Sequence, residues 1–241
     1  MKYILSITSY KPRFESLYQV LSEVPQWDVL PEKIILNLTP EDFDSLQFEP
    51  HKKFSKKFEI NITTDMGPAK KLIPTLRVYQ NAAIVTIDDD IHYSPNTITK
   101  VLVEHLLFPR CLISGRAHKI LYDDEGNMLP YMDWHGETTT VNGPTYDLFP
   151  TGAGMVLYPP NSLHSDVFDL KTYSENCFFG DDFWFFFHAR RMGTLIRRVP
   201  LSEPLNYVEG SQQIGLWHEN RMRNDVYLQN LLSLYGNPLF M

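Results

Sequence analysis

The sequence predicts an α/β protein with a mostly parallel sheet and helices on both faces, and three observations carry that expectation. Strand-like and helix-like stretches alternate through the first hundred residues. Ala83 to Ile87 is a continuous apolar run, as a central strand covered on both faces requires. Polar residues gather just past the ends of the apolar runs, at Ser9 and Tyr10, at Asp65, and at Asp88 to Asp90. In an open α/β sheet that edge is where ligands bind.

Taken in order, Tyr3 to Thr8 reads as a buried strand from its apolar and β-branched content. Phe14, Leu17, Tyr18 and Leu21 fall at i, i+3, i+4 and i+7, which predicts a helix from about Phe14 to Val24. Lys33 to Leu38 and Phe58 to Thr63 are the next strands. Ala69 to Gln80 reads as a helix in which Pro74 is tolerated only near the start or at a kink. After Ala83 to Ile87, Ser94 as cap and Pro95 at the first helical position open a helix with Ile98, Val101, Leu102 and Leu106 on one face. Tyr122 to Pro150, rich in Gly, Pro, Asp and Asn, reads as a long loop region with room for a small hairpin. Gly152 to Tyr158 follows as a strand with two glycines. Gly180, Asp181 and Asp182 open an aromatic helix, Phe183 to Arg191, that Gly193 closes. Asn224 to Tyr235 reads as a docked C-terminal helix. There is no internal repeat, so 1–241 reads as one domain with halves 1–110 and 111–218 and a helical tail 219–241.

With 241 residues, 43% of them apolar, the chain can bury a full core. Its 22 basic and 29 acidic side chains give a net charge of -7, which disfavours non-specific binding to nucleic acid or an anionic membrane. Two local basic clusters, His51 to Lys57 and Arg190 to Arg198, fit a solvated face or a helix C-terminus. Cys111 and Cys177 lack C-x-x-C spacing, so neither a zinc site nor a disulfide framework is indicated and a reducing compartment fits. Met1 to Thr8 is too short for a signal peptide, and no segment is long enough to span a bilayer. A soluble cytoplasmic protein is expected.

The chemistry concentrates at the aspartates. Asp88, Asp89 and Asp90 repel one another at a strand end unless a cation is supplied. A hard divalent ion, Mg2+ or Mn2+, takes oxygen ligands and shares them with phosphates, so an Asp-x-Asp at the mouth of a nucleotide fold suits a metal diphosphate. A solvated turn is the alternative, and the position directly after a buried strand favours the metal. His218, within Gly-Leu-Trp-His-Glu-Asn, is a candidate further ligand of metal or diphosphate from a loop folding over the site; a structural histidine is the other reading. Of Asp181 and Asp182, one carboxylate can cap the helix that follows while the other faces the cleft as general base. Lys70 and Lys71, after Gly67 and Pro68, offer point charges to phosphates or face solvent. Tyr131, Trp134 and Trp184 suit sugar stacking or core packing.

Four blocks together resemble the A-type glycosyltransferase (GT-A) fold, a Rossmann-type architecture: Gly67-Pro68-Ala69-Lys70-Lys71, Ile84-Val85-Thr86-Ile87-Asp88-Asp89-Asp90, Gly152 to Pro160, and Gly180-Asp181-Asp182-Phe183-Trp184. Their order is more specific than any one block, and the similarity runs from Lys2 to about Arg198. It implies that Ser9, Tyr10 and Asp65 line a nucleobase pocket, that Asp88 lies near the ribose, and that Asp90 binds the metal bridging the diphosphate. It further implies that Gly152 to Gly154 let backbone approach the sugar, that Asp181 or Asp182 is the base, and that His218 closes over the diphosphate. The implied partners are a nucleotide diphosphate sugar, a UDP-sugar first, and a glycan or glycolipid acceptor, which can be attached to a membrane. Metal-dependent nucleotidyl or phosphoryl transfer suits an acidic cluster as well. A carbohydrate- or nucleotide-binding module without turnover is a third reading, against which the second acidic pair weighs.

Overall fold

The computed structural model describes residues 1–52, 55–201, 204–214 and 217–237, with backbone only for 214 and 217–221. In chain order the first half runs β1 (Ile4–Thr8), α1 (Phe14–Glu23), β2 (Lys33–Leu38), α2 (Pro40–Ser45), β3 (Phe58–Ile62), α3 (Ile73–Val78), β4 (Ile84–Thr86), β5 (Ile91–His92) and α4 (Thr97–Leu107). The second half runs β6 (Leu112–Ser114), β7 (Ala117–Lys119), β8 (Leu148–Pro150), β9 (Val156–Tyr158), α5 (Leu170–Cys177), α6 (Asp181–Arg191), β10 (Ile196–Arg198), β11 (Asn206–Tyr207) and α7 (Trp217–Tyr235).

Seven strands form one sheet in the order β10-β6-β9-β4-β1-β2-β3. β9 is antiparallel to both of its neighbours, β4 and β6, and every other pairing in the sheet is parallel. Strand alternation sends Leu5, Ile7, Val85 and Leu157 into one core with Leu17 and Leu21 of α1 and Ile98 and Val101 of α4. Ile84, Leu112, Val156 and Tyr158 point the other way, onto Tyr173, Trp184, Leu228 and Leu231 of α5, α6 and α7. Each such side chain contributes about 1.5–3 kcal/mol by leaving water. The expected two-faced α/β sheet is therefore present. Two-stranded ladders β7–β8 and β5–β11 lie outside it. Among the described residues no helix is long and apolar enough to cross a membrane, and Cys111 and Cys177 are both free and buried.

Several elements differ from expectation, each for a local reason. The stretch expected as a helix over Ala69 to Gln80 is a 3-10 turn, Gly67–Lys71, followed by α3. The break lets Pro74 occupy the first turn of α3, where its missing N–H leaves no bond unmade. Gly152–Gly154 is a 3-10 turn, and β9 starts only after Met155 at φ 65°. Ser94 and Pro95 do not open α4: its cap position is Asn96, and the Pro95 carbonyl instead accepts the Asp28 N–H at 3.0 Å. The segment expected as a loop around His218 is the first turn of α7. The basic stretch Arg190 to Arg198 is structural, with Arg191 paired to Asp166, Arg197 to Glu104, and Arg198 donating to the carbonyls of Thr139 and Val141.

Candidate active site

Strand order brings four segments to one place. Parallel pairing sets the carboxyl end of β1, with Ser9 and Arg13 beyond it, beside that of β4, with Asp88 to Asp90 beyond it. Because β9 runs antiparallel, with Val156 opposite Thr86, the turn that precedes it lies beside the aspartates. Ser114 also faces Val156, so the residues after β6, Gly115 and Arg116, border the same turn.

On the β1 side Asp89 is buried and accepts Ser9 Oγ at 2.5 Å and Arg13 Nε at 2.9 Å. Burial pushes its carboxyl up to about 7 against the pull of Arg13. Arg13 Nη2 also pairs with Asp90, which accepts Gln212 Nε2 at 2.8 Å. Burial first, and the neighbouring Asp88 charge second, raise the Asp90 carboxyl as well. Tyr10 is 39% exposed at the rim. Asp65 instead engages Lys70 Nζ at 2.6 Å and the Gly67 N–H.

On the other side Lys71 joins the two acidic blocks. Its carbonyl is held by Ser6 Oγ at 2.6 Å, and its ammonium lies 2.7 Å from Asp88 Oδ1 and 3.3 Å from Asp181 Oδ2. Burial by itself lowers a lysine pKa, yet the charges of Asp181, Asp88 and Asp182 raise this one well above its ordinary value. The lysine thus bridges carboxylates where sequence reasoning offered it to phosphates. Asp182 Oδ1 accepts the Gly152 N–H at 3.0 Å. Burial, followed by the Asp181 charge, pushes Asp182 up to about 7. Burial also raises Asp181, opposed by Lys71. Neither residue caps α6, whose cap position is Gly180; both sit in the first turn, where an acid complements the helix dipole. A Cβ on Gly152 would stand 2.5 Å from Lys71 Nζ, 3.1 Å from Asp182 Oδ1 and 3.6 Å from Asp88 Oδ1, so this glycine is the backbone point around which the groups close.

Ser9, Lys71, Asp88, Asp89, Asp90, Asp181 and Asp182 therefore belong to one cluster. The side chain of His218 lies outside the described residues. Trp184 is fully buried with its indole N–H on the Val167 carbonyl, and Tyr131 and Trp134 pack in the same core, so core packing prevails over the sugar-stacking reading. Sequence reasoning missed Arg13, Gln212, Arg116 and Tyr93, whose hydroxyl accepts the Asp88 N–H and donates to the Ala153 carbonyl. For Arg13 a signal existed: it is a cation just past a strand end on the polar edge.

No family model matches the sequence and no curated protein matches it. Among solved structures the fold is similar to that of the mannosyltransferase PcManGT from Pyrobaculum calidifontis in complex with GDP-Man and Mn2+, with a TM-score of 0.54 and 14% identity over 97% of this chain and 63% of that one. A CMP:2-keto-3-deoxy-manno-octonic acid synthetase complexed with CTP aligns over 95% of this chain and 98% of that one, at 10% identity and a TM-score of 0.48, too distant to weigh. The chain spans just under two thirds of the mannosyltransferase's length. What the two share is the fold, and the architecture of this chain is GT-A-like.

Proposed function

We propose that the chain transfers a sugar from a nucleotide diphosphate donor to an acceptor hydroxyl, with a divalent cation, Mn2+ or Mg2+, held by Asp88 and Asp90. The observation that carries this reading is the convergence of Asp88, Lys71 and Asp182 around the Gly152 backbone at the carboxyl end of the central strand. The donor set fits such a cation: the site gathers carboxylate oxygens from Asp88, Asp89, Asp90, Asp181 and Asp182, with Arg13 and Lys71 ion-paired among them. Among the described residues no group of three His, Cys, Asp or Glu side chains is placed to hold a metal ion by itself. Ions of this class keep waters and take substrate phosphates as ligands, so one or two carboxylates suffice. Held there, such an ion would supply charge neutralisation for the departing diphosphate. The Mn2+ in the mannosyltransferase structure supports the same ion class.

Ser9, Tyr10 and Asp65, past the ends of β1 and β3, are assigned to the nucleotide, and the Gly152–Gly154 turn to the sugar. Asp89 holds Arg13 and Ser9 in place beneath the donor. Asp182 is assigned as base: the acceptor oxygen bonds to the anomeric carbon, the bond from that carbon to the diphosphate breaks with its electron pair, and the hydroxyl proton passes to the carboxylate. The substrates put forward are a UDP-sugar and a glycan or glycolipid.

The test is product analysis with nucleotide sugars, Mn2+ and a panel of glycan acceptors. Glycosylated acceptor together with free nucleoside diphosphate is the expected result. Pyrophosphate released from a nucleoside triphosphate and a sugar would instead establish nucleotidyl transfer, and binding without turnover a non-catalytic module.

A further inference from the structure

Arg116 is a cation at the cleft that the reaction outlined above does not use. Its backbone is locked to the site: Ser114 Oγ donates to its carbonyl at 2.6 Å, and the Thr151 N–H donates to the same oxygen at 3.1 Å. The crossing is so close that a Cβ on Gly154 would stand 2.3 Å from Arg116 N, and one on Gly115 2.1 Å from the Gly154 carbonyl. The guanidinium donates Nη1 to Thr151 Oγ1 and Nη2 to Glu137 Oε1, both at 2.9 Å, while its buried Nε has no partner among the described residues. Glu137 is a weak counter-ion. Its side chain is 62% exposed, and its backbone sits at φ 47°, a region that disfavours non-glycine residues.

The Thr151 hydroxyl that it holds joins this guanidinium to the reacting region. Thr151 directly precedes Gly152, whose N–H donates to Asp182 Oδ1 at 3.0 Å. Arg116 is thus tied to the turn that holds Asp182. In the sheet order it stands on the β6–β9 side of β4, opposite the β1–β3 side assigned to the nucleotide. Arg13 is closely paired to buried Asp89, and Lys71 to buried Asp181 and half-buried Asp88, whereas Arg116 leans on a neutral hydroxyl and a solvent-washed carboxylate.

We infer that Arg116 recognises an oxyanion, a carboxylate or phosphate, carried by the acceptor, and that Glu137 holds its place until the acceptor arrives. This rests on the sugar-transfer reading and narrows its acceptor to an anionic saccharide. The guanidinium fork presents parallel N–H donors that such a group accepts pairwise, and the incoming anion takes Nη2 from Glu137.

The probes are methyl glucuronide, glucose 1-phosphate and neutral methyl glucoside, titrated calorimetrically into the full chain with UDP and Mn2+ present. One or both charged probes should bind about tenfold or more tighter than the neutral one, the scale of a charge-assisted hydrogen bond; the stronger of the two identifies carboxylate or phosphate. Arg116→Gln should erase the preference, Arg116→Lys should keep part of it, and the exposed Glu137→Gln should strengthen charged-probe binding several-fold. UDP affinity should be unchanged in all three. Equal binding of charged and neutral probes by the parent protein overturns the inference, as does a loss of UDP affinity in Arg116→Gln, which would move Arg116 to the donor diphosphate. Failure of sugar transfer itself shows in the product assay and leaves the probe ranking readable, so the two failures are distinct.

Discussion

Asp182 combines two demands that pull in opposite directions with pH. Its folded carboxyl is raised from the ordinary 3.8 to about 7, by burial first and the Asp181 charge second. Over that range the native state keeps a proton that the unfolded chain has released, so this group's contribution to stability is present below the ordinary value and is lost as pH rises towards 7. A base works only unprotonated, so kcat/KM should climb with pH over the upper part of the same range. Asp182→Asn is expected to lower kcat by about a hundred- to ten-thousand-fold and to flatten the pH dependence of the melting temperature. Turnover within a few-fold of the parent would remove Asp182 from the chemistry. At this scale the carboxylates were legible because charge after a buried run is a local signal. Their partners were not: Arg13 meets Asp89 across 76 positions, and Lys71 meets Asp88 across 17. A separation of that size is fixed by strand order, which no single window of sequence contains.

The turn before β9 carries two glycines with different jobs, and substitution should separate them. In Gly152→Ala the new methyl meets Lys71 Nζ and Asp182 Oδ1, side-chain ends held by ion pairs and a hydrogen bond. Displacing them disorders the reacting groups, so turnover should fall at least tenfold while the melting temperature changes little. In Gly154→Ala the methyl meets the backbone of Arg116 at 2.3 Å, which cannot step aside. Overpacking of this kind costs about 1–3 kcal/mol, and thermal denaturation of the two variants side by side checks the contrast. Strands and long helices were readable from periodicity: β2 runs Lys33–Leu38 as expected, and α1 ends one residue short of the expected Val24. Turns were not. Gly152 to Tyr158 has the apolar content of one strand, and only the close approach of Lys71 and Arg116 explains why its glycines curl into a 3-10 turn.

For the molecule as a whole, excess negative charge at the sheet edge makes its stability a reporter of the proposed ligand. A nucleoside diphosphate at about a hundred times its Kd contributes about 2.7 kcal/mol, which at this chain length raises Tm by roughly 5–10 °C. The rise should appear with Mn2+ and vanish with excess chelator; an equal rise in both conditions would separate nucleotide binding from the metal. The fold class was legible early because alternating elements in residues 1–110 suffice to suggest a parallel sheet. The position of β9 was not, since a short apolar run does not reveal its direction. That position bears on synthesis. The edge of β4 that β9 will cover stays bare while the ribosome makes the 70 residues that separate Thr86 from Val156, a delay of roughly 4–14 s at ordinary translation rates. For that interval the nascent chain presents the apolar middle of a sheet as an open template for wrong partners. Protection then falls to whatever shields emerging polypeptide, because the strand that closes the gap has not yet been translated.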